Sequence, residues 1–344
     1  MKPLRTAILG CGHFARKHVV RLAALEEIAL VGFCDTSFEE ADNYNREFAH
    51  GRGRIFTNYE QLFTDLELDL AYICLPPFAR GREVELACRY GVNLLIEKPI
   101  ALNMDLALRM EKQVRESGIK CQVGFMYRFG KAALWLKSYL QQRSLVERGF
   151  MIARYACNSL HNWWWRERAK RGGQLVEQVI HIIDLTRFFM GEPIKVYSMQ
   201  DNLFHQGDGG YTSEDSSVTV IRFDSGGIAT ISATNGAIPN RWDDDWRFFT
   251  GDLTSDFSDA NHAIFHHTTE KNLPQTTIAA EDDLYLAETL DLIAAIRDDR
   301  DTAVPIEEGV LSLNLALAAA EAAKQDAPVS LESPAVVRNS QEIE

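Results

Sequence analysis

The sequence predicts an α/β protein whose first domain is a doubly wound parallel sheet. Up to residue 126, short apolar runs alternate with segments of helical periodicity, which is the pattern of successive strand–helix–strand units. One run, Leu70–Leu75, is apolar throughout, as expected of a strand buried on both faces of a parallel sheet. Beyond Tyr127 the runs lengthen, and some of them alternate between apolar and polar residues. This second pattern predicts a C-terminal α/β domain with a large, mainly antiparallel open sheet.

Size and charge narrow the class of protein. The chain has 344 residues, of which 46% are hydrophobic and 25% charged, so it is long enough for two domains with sizeable cores. Its formal net charge is −13, which disfavours binding to nucleic acid or to anionic membranes. An anionic ligand must therefore be held by local groups of the protein.

The six cysteines are spaced like core residues. None belongs to a Cys-x-x-Cys pair and most lie in apolar segments, so we expect neither disulfides nor a metal site. We also expect no signal peptide, because the first apolar run is short. No window reaches the roughly 18 apolar residues that a transmembrane helix needs. The expected compartment is the cytoplasm.

The elements of the first domain, residues 1–126, follow one another without long interruptions. Two of its helices are closed by a glycine, Gly91 or Gly118, at the position that favours left-handed backbone. The expected strands are residues 4–9, 28–34, 55–56, 70–75, 92–96 and 121–125, and the expected helices are 13–25, 38–48, 81–90 and 104–117.

The second domain, residues 127–332, is predicted to be rich in strands. Asp224–Gly227 has the composition of a hairpin turn. Residues 252–282 are polar and irregular, which suggests a hairpin and an exposed loop, and residues 333–344 are expected to be a loose tail. The expected strands are residues 148–157, 195–203, 216–223, 227–234 and 246–251, and the expected helices are 131–142, 284–297 and 306–324.

A glycine motif at the end of the first strand predicts a dinucleotide site. The apolar run ends in Gly-x-Gly-x-x-Ala, formed by Gly10, Gly12 and Ala15. Gly10 allows a tight turn, Gly12 lets a pyrophosphate approach the backbone, and Ala15 lets the following helix pack close to the sheet. The N-terminus of that helix offers free N–H groups and a positive dipole end to the phosphates.

The second strand ends in an acidic residue, Asp35, at the spacing that suits hydrogen bonds to a ribose. A carboxylate there repels a 2′-phosphate, and no Arg or Lys follows within Thr36–Phe38, so NAD is favoured over NADP. Other residues at the strand ends and in the glycine loop are also expected to bind the cofactor. They are His13, Phe14, Leu75, Pro76, Glu97 and Lys98.

A buried helix is predicted to carry further chemistry. At about 100° per residue, Glu177, His181 and Asp184 lie on one stripe of the segment 174–189, whose other residues are mostly apolar. Two interpretations stay open, a solvated stripe and a polar cavity. Lys98, at the end of a strand and before Pro99, is similarly either a surface charge or a group aimed at a ligand.

Four motifs together resemble one family. They are Gly10–Ala15, Glu97–Pro99, Gly124–Phe129 and the segment from Gly172 to Asp184, and they resemble the Gfo/Idh/MocA oxidoreductases, which include glucose-fructose oxidoreductase and inositol dehydrogenases. The resemblance runs over most of the chain. It implies an N-terminal Rossmann domain, and a C-terminal domain whose open sheet mediates homodimers or homotetramers.

The resemblance also implies the roles of several residues. It assigns a catalytic lysine to Lys98 and a site histidine to His181. Glu177 and Val179 depart from the Asp and the small residue that the family commonly has there, which suggests a different substrate. Arg128 is expected to be a structural residue at the domain junction. From the residues themselves, those expected at the polyol substrate are Tyr127, Asn158, His161, Trp163, Trp164, Arg166 and Asp184. For the three consecutive tryptophans a second interpretation stays open, in which one or two of them anchor the loop in the core.

The leading hypothesis is an NAD-dependent oxidoreductase acting on a secondary alcohol of a sugar or cyclitol. In this mechanism His181, polarised by Glu177 or Asp184, takes the hydroxyl proton, and Lys98 stabilises the charge that develops on the oxygen. Three alternatives stay open: a glycosidase that uses NAD transiently, a non-catalytic ligand sensor on the same scaffold, and reduction of a carbonyl that is not a sugar.

Overall fold

The structure, a computed structural model, describes residues 2–142, 149–158 and 163–332. The chain divides into two compact units. The first comprises residues up to 126 together with Asp283–Val310, and the second comprises Tyr127–Asp282 with the residues from 311 on. The predicted second domain spans 127–332, whereas residues 283–310 group with the first unit in the structure, where Leu292 joins the hydrophobic core. The predicted tail, 333–344, lies outside the described residues.

The elements are numbered along the chain. The strands are β1 (Leu4–Leu9), β2 (Ile28–Cys34), β3 (Arg54–Phe56), β4 (Leu70–Ile73), β5 (Asn93–Ile96), β6 (Cys121–Val123), β7 (Phe150–Cys157), β8 (Pro193–Asp201), β9 (Ser216–Phe223), β10 (Ile228–Thr234), β11 (Trp242–Phe249), β12 (Leu253–Asp259), β13 (His262–His267), β14 (Gln275–Ala279) and β15 (Val329–Ser330). The helices are α1 (Ala15–Leu22), α2 (Phe38–Ala49), α3 (Tyr59–Asp65), α4 (Glu83–Tyr90), α5 (Met104–Ser117), α6 (Lys131–Gln142), α7 (Arg168–Arg171), α8 (Gln174–Glu177), α9 (Ile180–Met190), α10 (Leu284–Asp298) and α11 (Ile306–Gln325).

The first unit contains the predicted parallel sheet. Its strand order is β3-β2-β1-β4-β5-β6, and every neighbouring pair is parallel. The direction of winding changes at β1, which pairs with β2 on one side and with β4 on the other. In open sheets of this kind, ligands bind beyond the carboxyl ends of the strands at that point. The predicted doubly wound fold is confirmed, and it locates the ligand site at the ends of β1 and β4.

Local signals set the ends of the helices in this unit. The Asn103 side chain accepts a hydrogen bond of 2.9 Å from the Leu106 N–H at the start of α5, which satisfies one of the free donors of the first turn. The same helix ends at Gly118, whose φ of 72° is left-handed. The helix α4 ends in the same way at Gly91, with φ 67°. Both glycine caps were predicted because such backbone is costly for residues with a Cβ.

The second unit contains a nine-stranded sheet in the order β14-β13-β12-β11-β7-β10-β9-β8-β15. Its neighbouring strands are antiparallel except for β7 and β10. The predicted hairpin at Asp224–Gly227 joins β9 to β10, and the Phe223 N–H donates to the Gly227 carbonyl across it at 3.0 Å. The prediction of a large, mainly antiparallel sheet is confirmed.

The segment 252–282 contains the predicted hairpin, formed by β12 and β13, and is more regular than expected. This segment forms β12, β13 and β14, which complete one side of the nine-stranded sheet. In β12 the buried positions alternate as Leu253, Ser255 and Phe257, so the strand has the period of two expected of a half-buried strand. The alternation is obscured in the sequence because a serine occupies one of the buried positions.

The nine-stranded sheet has one buried face and one exposed face. In β9 the side chains of Ile221 and Phe223 are buried, whereas Val218 and Val220 are 54% and 40% exposed. In β7, Met151 and Ala153 are buried and Ile152 is exposed. The helices α6 and α9 pack on sheet strands of this unit. The opposite face therefore presents apolar side chains without a cover from the described part of this unit.

None of the described helices is both long enough and apolar enough to cross a membrane.

Candidate functional site

The glycine loop has the backbone that the sequence predicts. Gly10 has a φ of 88°, and a Cβ at this position would lie 2.8 Å from the Cys74 carbonyl oxygen. Gly10 is therefore required both by its backbone conformation and by the close approach of the chain after β4. A Cβ at Gly12, by contrast, would meet no described atom within 4 Å. The space beside Gly12 suits a pyrophosphate at the N-terminus of α1.

Asp35 lies against this loop. One oxygen of its carboxylate accepts a hydrogen bond of 2.8 Å from the Cys11 N–H, and the other accepts one of 2.9 Å from the Ser37 N–H. These bonds fix the carboxylate at the end of β2, beside the turn that follows β1. The arrangement fits a ribose with free hydroxyls, because a carboxylate held there would repel a 2′-phosphate.

Lys98 follows β5 at the same edge of the parallel sheet. Its Nζ lies 6.0 Å from the ring centroid of Phe14, in the glycine loop. The Glu97 side chain is buried, and the Arg80 guanidinium donates to the Glu97 carbonyl oxygen at 2.6 Å. The Lys98–Pro99 peptide is cis. The geometry thus brings a lysine ammonium to the loop that is predicted to hold the cofactor.

The remaining predicted cofactor residues lie in the same unit. Leu75 and Pro76 are half-buried in the turn after β4, and His13 is exposed in the turn between β1 and α1. These positions are at the carboxyl ends of strands that flank the winding change. Their contact with the cofactor stays a prediction.

The predicted helix over residues 174–189 is interrupted. The helix α8 ends at Glu177 and α9 begins at Ile180, and the Val179 N–H donates to the Gln174 carbonyl, five residues back, at 3.1 Å. The Gln178 amide oxygen accepts hydrogen bonds from Arg171 and from Asn235 at 3.3 and 3.2 Å. We attribute the break to this side-chain anchor, which ties the irregular turn to its neighbours.

Glu177, His181 and Asp184 are all buried despite the interruption. The interpretation of a solvated stripe is therefore wrong. The His181 ring lies 5.2 Å from the Tyr127 ring, centroid to centroid. The structure thus joins two predicted site residues, one on α9 and one just before α6.

Asp184 is held by a buried cation. Its two carboxylate oxygens accept hydrogen bonds of 2.7 Å from Nε and Nη2 of Arg128, and the Ser312 hydroxyl donates at 2.9 Å. Such a bidentate pair has a fixed geometry. We infer that Asp184 and Arg128 stabilise the second unit, and this pairing extends the predicted structural role of Arg128.

Sequence reasoning missed Asp244 at this site. The Tyr127 hydroxyl donates a hydrogen bond to the Asp244 carboxylate. Burial raises the pKa of Asp244 to about 6, against an ordinary value of 3.8, although this hydrogen bond opposes the rise. The sequence signal was present in the acidic run 243–245, but 117 positions separate the partners, and only the sheet brings them together.

The predicted substrate segment lies between β7 and α7. Trp163 is 58% exposed, and the Lys170 ammonium lies 3.7 Å from the centroid of its ring. Trp164 and Arg166 are partly buried, and the Arg166 carbonyl accepts a hydrogen bond from the Thr212 N–H at 2.8 Å. The Asn158 amide donates to the Ala237 carbonyl at 3.2 Å. His161 lies outside the described residues.

The parallel sheet, its glycine loop and the placed Asp35 define the first unit as an NAD-binding Rossmann domain. A family model described as the NAD-binding Rossmann fold of an oxidoreductase family matches residues 4–125. The model of that family's C-terminal alpha/beta domain matches residues 152–331. The chain therefore belongs to the Gfo/Idh/MocA family of oxidoreductases, as the four motifs predicted.

Relatives and solved structures support this assignment. The chain is 26% identical to scyllo-inositol 2-dehydrogenase (NAD(+)) of Bacillus subtilis (strain 168), over 67% of each chain. It is 24% identical to D-glucoside 3-dehydrogenase of Escherichia coli (strain K12), over 66% of this chain and 68% of the relative. Levoglucosan dehydrogenase, solved in complex with NADH and L-sorbose, has the same fold, with a TM-score of 0.86, 18% identity, and coverage of 97% of this chain and 100% of its own.

Proposed function

We propose that this protein is an NAD-dependent dehydrogenase that oxidises a secondary alcohol of a sugar or cyclitol, or reduces the corresponding ketone. The observation that carries the proposal is the position of Lys98. Its ammonium lies beside Phe14 of the glycine loop, at the sheet edge where a dinucleotide fits. The named activities of the two curated relatives, on an inositol and on a glucoside, support the substrate class.

The choice of NAD over NADP rests on Asp35. Its carboxylate is fixed by the N–H groups of Cys11 and Ser37. A fixed carboxylate accepts hydrogen bonds from the ribose hydroxyls and disfavours the 2′-phosphate of NADP. We therefore expect measurable affinity for NAD and much weaker affinity for NADP.

The proposed chemistry divides a hydride and a proton between two acceptors. When it is bound, the nicotinamide supplies the acceptor for the hydride that leaves the alcohol carbon. His181 takes the hydroxyl proton as general base, and the buried Glu177 one turn earlier favours the protonated imidazole that results. Lys98 stabilises the negative charge that develops on the substrate oxygen.

We propose further contacts to the substrate from the loop after β7. An exposed indole such as Trp163 can stack on the C–H face of a sugar. Asn158, Arg166 and His161 carry groups that can hydrogen-bond hydroxyls. The Tyr127 phenol, with its ring beside His181, adds another group of this kind. Trp164 and Asp184 are the remaining proposed substrate residues, and for Asp184 the buried pair with Arg128 favours an indirect effect through α9.

The assembly that we propose is a homodimer or homotetramer formed through the open face of the nine-stranded sheet. Apolar side chains on this face, including Ile152, Val218 and Val220, are at least 40% exposed. An exposed apolar surface of this kind commonly marks a protein–protein interface, and a second copy of the same sheet would be self-complementary.

The test is reduction of NAD, and separately of NADP, with cyclitols, aldoses, uronates and glycosides, followed by absorbance of the reduced cofactor. We expect NAD to be reduced by one substrate class. Lys98→Ala and His181→Ala should each lower kcat by about 100-fold or more while NAD affinity stays nearly the same. The exposed Lys112→Ala variant, on α5, is the matched control. Normal turnover by Lys98→Ala would overturn the mechanism.

The same experiment discriminates the alternative activities. Release of an aglycone from a glycoside without accumulation of NADH would indicate a glycosidase that uses the cofactor transiently. Binding of NAD without turnover of any of these substrate classes would favour a ligand sensor.

A further inference from the structure

A buried histidine in the first unit bridges two buried glutamates. The His18 Nε2 lies 2.7 Å from Oε1 of Glu97, and its Nδ1 lies 3.8 Å from Oε1 of Glu288. All three side chains are nearly inaccessible to solvent, with exposed fractions of 0%, 6% and 0%. We call His18, Glu97 and Glu288 the buried trio. They come from α1, from the end of β5 and from α10.

The surroundings of the buried trio are mostly aromatic. The rings of Tyr72, Tyr285 and Phe14 lie 5.3, 5.5 and 6.1 Å from the His18 ring. The charged groups that face Glu288 from outside the trio are Arg21 and Asp283, which pair with each other at 2.7 Å. Neither carboxylate oxygen of Glu288 has a hydrogen-bond partner among the described residues.

This arrangement determines where the protons sit. The Nε2 atom of His18 lies 2.7 Å from a carboxylate oxygen of Glu97, which can only accept a hydrogen bond, so the geometry makes Nε2–H the donor to Glu97. The Nδ1 edge of the ring faces Glu288 at 3.8 Å, which is too long for a hydrogen bond. Burial and the nearby charge of Glu97 raise the pKa of Glu288 well above its ordinary value. The two ring nitrogens point away from each other, one toward each glutamate.

The buried trio is connected to Lys98 through Glu97. The second carboxylate oxygen of Glu97 accepts a hydrogen bond of 3.1 Å from the Lys98 N–H. Gly124 provides room for this carboxylate, because a Cβ there would lie 2.8 Å from Oε1 of Glu97. One carboxylate thus holds the His18 ring on one side and the Lys98 backbone on the other.

We propose that His18 and Glu288 are positioning residues for Lys98. Glu288 faces the Nδ1 edge of the His18 ring, the Nε2–H of His18 orients the Glu97 carboxylate, and that carboxylate fixes the backbone from which the Lys98 ammonium extends. This inference rests on the function proposed above as far as turnover is concerned. The contacts themselves are present in the protein without substrate and can be tested separately.

The first experiment compares two substitutions of His18 that each keep one N–H of the side chain. His18→Gln keeps an N–H near the position of Nε2, whereas His18→Asn keeps one only near Nδ1. We expect His18→Asn to lower kcat on the order of a hundredfold, because small misplacements of a reacting group have effects of that size, and His18→Gln to recover most of the loss. Equal turnover by the two variants would overturn the proposal.

A second pair of variants tests Glu288 in the same assay. Glu288→Gln retains a polar side chain of nearly the same size beside Nδ1 of His18, and we expect it to keep most of the turnover. Glu288→Leu, of similar volume, removes the polar group and should lower kcat. The control is Glu111→Gln, at a buried glutamate on α5. Equal effects of the Gln and Leu variants at position 288 would contradict the role of Glu288.

Two measurements are independent of activity. In ¹⁵N-histidine NMR spectra of the protein without cofactor, His18 should show the Nε2–H tautomer. Deuterium uptake at the Lys98 amide should be faster in His18→Asn than in His18→Gln. If no polyol is turned over, the proposed function fails. The NMR and deuterium-uptake measurements still test the contacts of the buried trio. A proton on Nδ1 of His18 in the unchanged protein, or equal uptake in the two variants, would overturn the inference.

Discussion

Two acidic residues of the second unit, the buried Asp184 and the partly buried Asp244, differ sharply in how their charge is compensated. Asp184 accepts two hydrogen bonds from the Arg128 guanidinium and one from Ser312. Asp244 has the Tyr127 hydroxyl, which is a neutral partner, and burial raises its pKa. Burial deprives both carboxylates of hydration. The Arg128 cation compensates Asp184 for this loss, whereas a neutral hydroxyl compensates Asp244 only in part. The same residue type therefore has opposite effects on stability at neutral pH.

Removing Arg128 should be strongly destabilising. Arg128→Met leaves the Asp184 carboxylate, 1% exposed, with its cation removed, and breaking a buried pair in this way costs about 3–5 kcal/mol of unfolding free energy. Arg154→Met removes the exposed pair with Asp245 and should change stability by less than about 1 kcal/mol. Chemical denaturation of both variants is the measurement. Equal midpoints for the two variants would contradict the structural role of Arg128.

Asp244 should make the protein less stable as pH rises. Its folded pKa of about 6 is above the ordinary value of 3.8, so the folded state holds the proton more tightly than the unfolded state. The resulting stabilisation is present below about 3.8 and is lost as pH rises through about 6. Asp244→Asn should therefore gain stability relative to the unchanged protein across this window, as seen in melting temperatures at several pH values.

The control for this pH series is Asp208→Asn, in an exposed turn. The difference in melting temperature between Asp208→Asn and the unchanged protein should stay constant through the same pH window. A constant difference for Asp244→Asn as well would show that Asp244 does not titrate as described.

At the scale of elements, the sequence was most informative where an element has its own start and stop signals. The ends of α5 follow from Asn103 and Gly118, which act within one turn of the helix. Only a hairpin was expected where β12, β13 and β14 lie, because their polar residues resemble a loop and their pairing depends on neighbours in the sheet. The break between α8 and α9 was missed for a related reason, since the Gln178 anchor involves Asn235, 57 positions away.

In the candidate site too, some residues were predictable from the sequence and others were not. The glycine loop, Asp35 and Lys98 were recognisable because each follows a strand at a spacing that has a physical reason. Asp244, Glu288 and the bridging role of His18 were not recognisable. They depend on contacts between elements that lie far apart in the chain, and periodicity carries no information about such contacts.

Substituting the two glycines of the cofactor loop should impair two different properties, stability at Gly10 and NAD affinity at Gly12. In Gly10→Ala the new Cβ meets the Cys74 carbonyl at 2.8 Å on left-handed backbone, so we expect a loss of stability of more than about 1 kcal/mol. In Gly12→Ala the Cβ meets no described atom within 4 Å. We expect that variant to keep its stability and to lose NAD affinity, measured by fluorescence titration. Strong NAD binding by Gly12→Ala would contradict the proposed pyrophosphate position.

For the whole molecule, the open face of the nine-stranded sheet is the feature with the widest consequence. Regular alternation in β7 and β9 places apolar residues outward as well as inward. Solvated faces of antiparallel sheets normally carry polar residues. The exposed apolar residues of β7 and β9 therefore need a partner surface to pack against. We propose that this partner is another copy of the chain.

Charges placed on this face should separate the copies. Val220→Lys alters a side chain that is 40% exposed on β9, and Val20→Lys alters one that is 49% exposed on α1 of the other unit. We expect Val220→Lys to lower the mass measured by analytical ultracentrifugation and Val20→Lys to leave it unchanged, because a buried unpaired lysine is costly only at an interface. An unchanged mass for Val220→Lys would place any oligomer contact elsewhere.

The discontinuity of the first unit has a consequence for biosynthesis. Its parallel sheet is complete by Val123, yet Leu292 and Glu288 of α10 belong to its interior. A ribosome makes the entire segment from Tyr127 to Asp282 before this helix emerges. The part of the protein that is translated first must therefore wait, with an incomplete core, until nearly the whole polypeptide has been made.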